Sequence, residues 1–230
     1  MRALVDKRIR TRKPAAYLLN EAWLGKHRFY VDERVIVPRS FIAELLLGSW
    51  GKEMSPISIL DLCTGSGCLA ILAALRFPDA TVDATDVSPD ALDVARRNVA
   101  DYRLANRVRP IESDLFSALP GHRYDLIVSN PPYVKAASMR KLPREYRKEP
   151  AIALASGADG LDHTRAILDQ AGRHMNQGGT LVVEIGRNRR ALEKALPSLD
   201  FEWPKTSGGK GFVFALPATA LGKSRKSNKS

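Results

Sequence analysis

Cysteine is almost missing from this sequence. Only Cys63 and Cys68 occur in 230 residues, and a C-x4-C spacing with no second cluster builds neither a disulfide scaffold nor a zinc site. A reducing compartment is the default. Long apolar runs are missing too: no stretch approaches the ~20 consecutive apolar residues of a membrane span, which excludes an integral membrane protein. There is no internal repeat, and low complexity is confined to the carboxyl tail. What is present is ordinary for a globular chain, with 44% hydrophobic and 27% charged residues. A chain of this length makes one domain with short appendages and buries roughly 70% of the surface that its unfolded form exposes. Its core therefore needs neither metal nor disulfide.

Acidic residues are scarce at both ends. The net charge is +11, of which residues 1–13 hold +5 and residues 222–230 hold +4, leaving +2 for everything between. The body is nearly neutral, with two basic arms. Such arms approach phosphate polymers through counterion release, or serve only as solvated tails. The Arg-rich start also has the composition of an organellar transit peptide. It runs without a cleavage-like or Ser-rich segment into the patterned region near Pro14, so a cytoplasmic location ranks ahead of an organelle.

From residue 56 onward short apolar runs alternate with helical segments, the rhythm of a parallel sheet covered by helices. Strands are expected at 57–62, 80–86, 108–112, 124–129 and 180–185, and helices at 69–77, 89–100 and 161–175. Ser88 followed by Pro89 is a helix start. Residues 201–204 and 211–216, joined by the turn-rich 206–210, read as a terminal hairpin. Ahead of this, 28–37 offers two β-prone pieces around Asp32 and Glu33, and 41–50 looks helical. The division is a basic arm and lead-in with a β-hairpin (1–55), a catalytic domain (56–217) and a basic disordered tail (218–230).

Asp61, Leu62, Cys63, Thr64, Gly65, Ser66 and Gly67 close the first of these strands and open a helix. Two glycines let the backbone turn sharply near a ligand, and the helix amino terminus offers unpaired N–H groups. Asp86 ends the next strand, 19 residues past Gly67, placed to accept bonds from ribose hydroxyls. Gly65, Ser66 and Gly67 with Ala70 also match the looser dinucleotide fingerprint. Asp61 favours S-adenosylmethionine over a nicotinamide dinucleotide, because it can reach a cationic amino-acid moiety. Ser113, Asp114, Leu115 and Phe116 then offer a carboxylate and an apolar wall for a purine. Cys63 and Cys68 read as small space-fillers.

Asn130, Pro131, Pro132 and Tyr133 follow the apolar run 125–128, at the carboxyl end of the fourth strand, where ligands of open α/β sheets collect. Two successive prolines stiffen the loop and withdraw N–H donors. Such a loop accepts two hydrogen bonds from an NH2 group, one at the Asn130 side-chain oxygen and one at the Pro131 carbonyl, with the Tyr133 ring stacked on the planar group. Fixing both N–H bonds aims a delocalised lone pair at an activated methyl, and positioning of this kind supplies up to ~7–11 kcal/mol. No metal enters this chemistry.

These residues resemble the methyltransferases that modify the side-chain amide nitrogen of glutamine in translation proteins. The resemblance spans roughly residues 5–216 and includes 30–40 (YVDERVIVPRS), 61–68, 113–116, 130–133, Glu149 and Pro150 with Ala153 and Leu154, Gly157 with 159–162, and 183–186. Residues 38–40, the loop 62–68 and the ending 208–211 are more similar to the branch acting on ribosomal protein uL3 than to the release-factor branch. The resemblance implies a Rossmann-like class I methyltransferase with a mostly parallel seven-stranded sheet and a terminal antiparallel hairpin. It implies S-adenosylmethionine as cofactor, S-adenosylhomocysteine as product and a ribosomal protein as partner. It places 63–67, Asp86, Leu115 and Asn130 at the cofactor, 130–133 on the glutamine, and Arg39 at the substrate approach, where a plain ion pair is the competing role. Glu184 reads as structural. The family carries a helical amino-terminal domain, largely absent from residues 1–55, and Lys148 stands where this branch often has His. Competing functions are release-factor methylation, methylation of an exocyclic base amine, which needs base flipping, and cofactor binding without catalysis.

Overall fold

The structure is a computed structural model that describes residues 2–223. In chain order it contains α1 (Arg2–Thr11), α2 (Ala15–Leu19), β1 (Ala22–Leu24), β2 (His27–Phe29), α3 (Phe41–Leu47), β3 (Ser58–Leu62), α4 (Cys68–Arg76), β4 (Thr81–Asp86) and α5 (Pro89–Asp101). There follow β5 (Val108–Glu112), β6 (Tyr124–Ser129), α6 (Ala136–Met139), α7 (Asp162–Ala171), β7 (Met175–Glu184), α8 (Arg189–Ala195), β8 (Val213–Pro217) and α9 (Ala218–Lys223). No described helix is long and apolar enough to cross a membrane.

The central sheet has the order β5-β4-β3-β6-β7-β8, parallel throughout except for β8 against β7. Strands buried on both faces supply two cores. Ile59, Leu126, Val128 and Val182 pack with Ile42, Leu46 and Leu72 from α3 and α4. Leu60, Leu62, Ile127, Leu181 and Val183 pack with Ile167 and Leu168 of α7 and Leu192 of α8. The strand order reverses between β3 and β6, so the loops leaving these two strands open a crevice at their carboxyl ends.

Local chemistry explains the helix starts. The Ser88 hydroxyl accepts from the Ala91 N–H at 3.2 Å, with Pro89 in the first turn, and the Ser40 hydroxyl accepts from Ile42 N–H at 3.2 Å.

Several expectations are corrected. The sheet has six strands, not seven: 201–204 contributes a single bridge, Glu202 to Ala215, so the terminal hairpin keeps only one arm as a strand. The lead-in hairpin is 22–29, turning at Gly25 with φ +60°. Residues 30–37 form no strand, because side chains take their backbone groups: Asn98 Oδ1 accepts from Tyr30 N–H at 2.8 Å and its Nδ2 donates to Tyr30 O at 3.0 Å, while the Val31 carbonyl accepts from Asn20 Nδ2 at 3.2 Å and the Val35 carbonyl from the Tyr17 hydroxyl at 2.5 Å. The helix expected over 161–175 stops at Ala171, and Met175 opens β7 beside Tyr124. The amino-terminal arm is helical, and 218–223 is helix rather than disordered tail. The rest of that tail lies outside the described residues.

Candidate active site

Asp61 is the last but one residue of β3 and is fully buried. Its Oδ2 accepts from the Thr64 hydroxyl at 2.6 Å and from the Ala70 N–H at 3.0 Å, satisfying a donor in the first turn of α4. Its Oδ1 has no partner. Burial is the main reason that the carboxyl is pushed up to about 7. A buried acceptor left open costs free energy until a donor arrives, and a cation is the donor that a carboxylate favours most.

The turn after Asp61 passes through left-handed backbone at Cys63, Gly65 and Gly67. Gly65 faces open space, and its N–H donates to Asp86 Oδ2 at 2.9 Å. Gly67 is a packing glycine, since a Cβ there would stand 3.2 Å from Ala95 Cβ on α5. The other Asp86 oxygen accepts from Ser88 N–H at 3.0 Å, while burial raises this carboxyl above its ordinary value. Asp86 is thus anchored by backbone donors on each oxygen, with further lone pairs for a ligand hydroxyl.

A cleft runs over this edge. Cys63, Gly65, Asp86, Asp114, Leu115, Asn130 and Pro132 line it. Asp61, Thr64, Ser66, Gly67, Pro131, Tyr133 and Arg39, also singled out in the sequence, stand outside that lining. Thr64 and Ser66 are buried, the one bonded to Asp61 and the other giving its carbonyl to Asn98 Nδ2 at 2.8 Å. Phe116 is no purine wall: it is buried and stacks on His174, with ring centroids 4.6 Å apart.

Asn130 is held by one end. Its Nδ2 donates to the Arg39 carbonyl at 3.3 Å, which fixes the amide, while Oδ1 is buried with no partner. Pro131 and Pro132 are buried behind it. The Tyr133 ring lies against Gly186, where a Cβ would come within 2.7 Å of Cε2, and its hydroxyl donates to Glu184 Oε1 at 3.4 Å. Glu184 Oε2 accepts from the Ser40 hydroxyl at 2.7 Å and Phe41 N–H at 2.9 Å. Glu184 therefore ties the start of α3 to the Asn130 loop, as a structural acid.

Arg39 is an ion-pair residue. Its guanidinium meets Glu149 through Nη1 at 2.8 Å and Nη2 at 2.5 Å and covers the Tyr146 ring at 4.6 Å. It acts through its carbonyl on Asn130 and through its side chain on the segment that leads to Pro150.

Sequence reasoning missed part of the lining: Arg34, Val35 and Ile36 from the lead-in, Pro150, Ile152 and Ala153 from the loop after Glu149, and His163 on α7. The motif run 30–40 and the matches at Glu149, Pro150, Ala153 and Leu154 touched the first two groups without naming Ile152 or assigning them a wall. His163 carried no signal. In the structure its Nδ1 is 2.8 Å from the Ser156 hydroxyl.

A methyltransferase small domain model matches residues 43–146. A ribosomal protein uL3 glutamine methyltransferase from Neisseria meningitidis serogroup B is 57% identical over 95% of this chain and 73% of its own length. One from Burkholderia pseudomallei is 52% identical over 95% of this chain and 75% of its own length. The chain belongs to this methyltransferase family. Its fold agrees: a methyltransferase structure from Pyrococcus furiosus superposes with a TM-score of 0.60 at 19% identity, covering 92% of this chain and 97% of that one.

For a family whose chemistry needs a methyl donor, the open Asp61 Oδ1, the glycine turn and the anchored Asp86 fit S-adenosylmethionine. Were it bound here, Asp61 would face its ammonium, Gly65 would leave room for its body, Asp86 would accept from ribose hydroxyls, and Leu115 would offer an apolar contact beside Asp114.

Proposed function

We propose that this protein transfers a methyl group from S-adenosylmethionine to the side-chain amide nitrogen of a glutamine in ribosomal protein uL3, in the cytoplasm. The observation that carries this reading is Asn130, an amide clamped at its nitrogen with its oxygen buried and unpartnered beside the cofactor cleft.

S-adenosylmethionine supplies an electrophilic methyl on a sulfonium whose neutral sulfur is the leaving group. Asn130 Oδ1 accepts one N–H of the substrate amide, and the Pro131 carbonyl, which no donor reaches among the described residues, accepts the other. The amide is thereby turned so that its nitrogen faces the methyl, and the entropy of alignment is met before reaction. As the new C–N bond takes the nitrogen electron pair, the surplus proton leaves to water. Tyr133, braced by Glu184 and Gly186, bounds the amide from the side. The basic arms are assigned to RNA near the target.

The test offers methyl-labelled cofactor separately to uL3 and to nucleic acid. Label on a uL3 glutamine side chain, located by peptide mass spectrometry, is expected. Label in nucleic acid only, or on a release factor in preference to uL3, overturns the assignment.

A further inference from the structure

The basic charge of this chain is distributed differently in space and in sequence. Residues 1–13 hold +5 and residues 135–148 hold another +5, while residues 14–134 carry −3 and residues 149–221 are neutral. The structure brings the two basic segments together, because Arg8 of α1 and Arg12 just past its end both reach Glu145, at 3.3 and 2.9 Å. A backbone N–H bond and the two guanidinium groups that share this carboxylate hold it below its ordinary range. Around the clamp, Arg2, Lys7, Arg10, Lys135, Arg140, Lys141, Arg144 and Lys148 are exposed, and none forms an ion pair among the described residues.

The second segment is rooted in the active cleft at both ends. It begins right after Val134, which follows the Asn130 loop, and it leads directly into Glu149, the partner of Arg39, and Pro150 in the cleft lining. Two segments of like net charge are held together here although they repel, and the acid that Arg8 and Arg12 share serves to hold them to each other. An arrangement of that kind gains free energy only when a polyanion arrives and its condensed counterions are released.

We infer that α1 and the 135–148 loop form one RNA-docking platform beside the cleft, and that the preferred substrate is uL3 already bound to RNA rather than the free protein. This rests on the proposed uL3 reaction for its substrate, but not for its RNA contact. The loop is the new element. Its connection to Glu149 and Pro150 sets the docked RNA next to the entry for glutamine, so the reaction reads both the side chain and its phosphate surroundings.

The experiment measures binding of the full chain to a 20-nucleotide RNA hairpin across a salt series, with polyglutamate of equal charge as the acidic-protein control. Arg140→Ala/Lys141→Ala/Arg144→Ala removes three unpaired cations outside the catalytic residues. The slope of log K against log salt is expected to fall by about one for each phosphate that the variant no longer neutralises. S-adenosylhomocysteine affinity, measured on the same variant, is expected to stay unchanged and reports that the domain is folded. Methylation of uL3 in an RNA-containing particle is expected to drop at least fivefold while that of free uL3 stays within twofold. An unchanged slope, or polyglutamate binding as tightly as RNA, overturns the platform. If the wild-type chain methylates no form of uL3 yet shows the slope change, the uL3 assignment fails and the RNA surface stands.

Discussion

In the proposed reaction Asn130 acts through one atom. With Nδ2 committed to the Arg39 carbonyl, Oδ1 cannot rotate away, and its only unmet requirement is a donor. Asn130→Ala removes one preorganised acceptor, so turnover is expected to fall roughly 10²–10³-fold. Cofactor affinity by calorimetry should stay within about twofold, and a turnover loss below threefold would remove Asn130 from the mechanism. Asp61 makes a different prediction. Its carboxyl, pushed up to about 7 by burial, must lose its proton before it can face an ammonium group. Cofactor affinity therefore rises with pH, by about tenfold per unit below 7, and levels off above it. The titration belongs below about pH 7.5, where an ordinary α-amino group still holds its proton. Asp86 is raised by burial as well and tilts the profile in the same direction. Asp61→Asn separates the two, since it should weaken binding and flatten most of the slope; a variant profile parallel to wild type would give the titration to another group.

At the scale of elements, the site is assembled by contacts that bridge long stretches of chain. Arg39 and Glu149 are separated by 110 residues, and Glu184 reaches Ser40 across 144. Glu149 is buried while Arg39 stays about one-third exposed, so Glu149→Gln leaves a cation that water still partly solvates. A loss of about 2 kcal/mol in unfolding free energy is expected, in the range of hydrogen bonds to charged groups. The loop carrying Pro150 should loosen at the same time, seen as faster amide exchange over 146–154; equal exchange in the two proteins would mean that the pair holds nothing there. Gly186→Ala strains a backbone at φ +56° and pushes on the Tyr133 ring. About 1–2 kcal/mol of destabilisation is expected, with turnover reduced and cofactor affinity retained, because in the proposed reaction Tyr133 bounds the substrate amide and not the cofactor. What was legible in the sequence follows from the same distinction. The start of α5 was readable because Ser88 and Pro89 are local signals, and the sheet strands because both faces are apolar. Residues 28–37 read as two β-prone pieces, and Val31 and Val35 are indeed buried, but beyond Phe29 the backbone bonds to side chains: Tyr30 to Asn98, 68 residues away, and the carbonyls of Val31 and Val35 to Asn20 and Tyr17. Nothing local announces such a partner.

For the whole molecule, the cleft is a seam. One wall comes from the lead-in, one from the β3 and β4 loops, and one from the 150–153 loop with His163. The sequence located the two glycine-and-acid loops and the Asn130 loop, because each is compact and chemically distinctive. It could not show that Thr64 and Ser66 turn inward or that Phe116 belongs to the core, since burial depends on what the remaining chain packs around them. A ligand spanning such a seam binds the folded state and not the unfolded one, so it stabilises by RT ln(1 + [L]/Kd), about 2.7 kcal/mol at one hundred times Kd. For a domain of this size each kcal/mol moves the melting temperature by about 2–4 °C. S-adenosylhomocysteine at that excess is therefore expected to raise Tm by about 5–10 °C in a thermal scan. A nicotinamide dinucleotide at the same concentration should leave Tm where it was, because its pyrophosphate would meet Asp61 rather than a donor. The difference between the two scans is expected to shrink in Asp61→Asn, which lacks the charge that an ammonium needs and a pyrophosphate avoids. Equal shifts for both ligands in the wild-type chain would assign the glycine turn to dinucleotide binding.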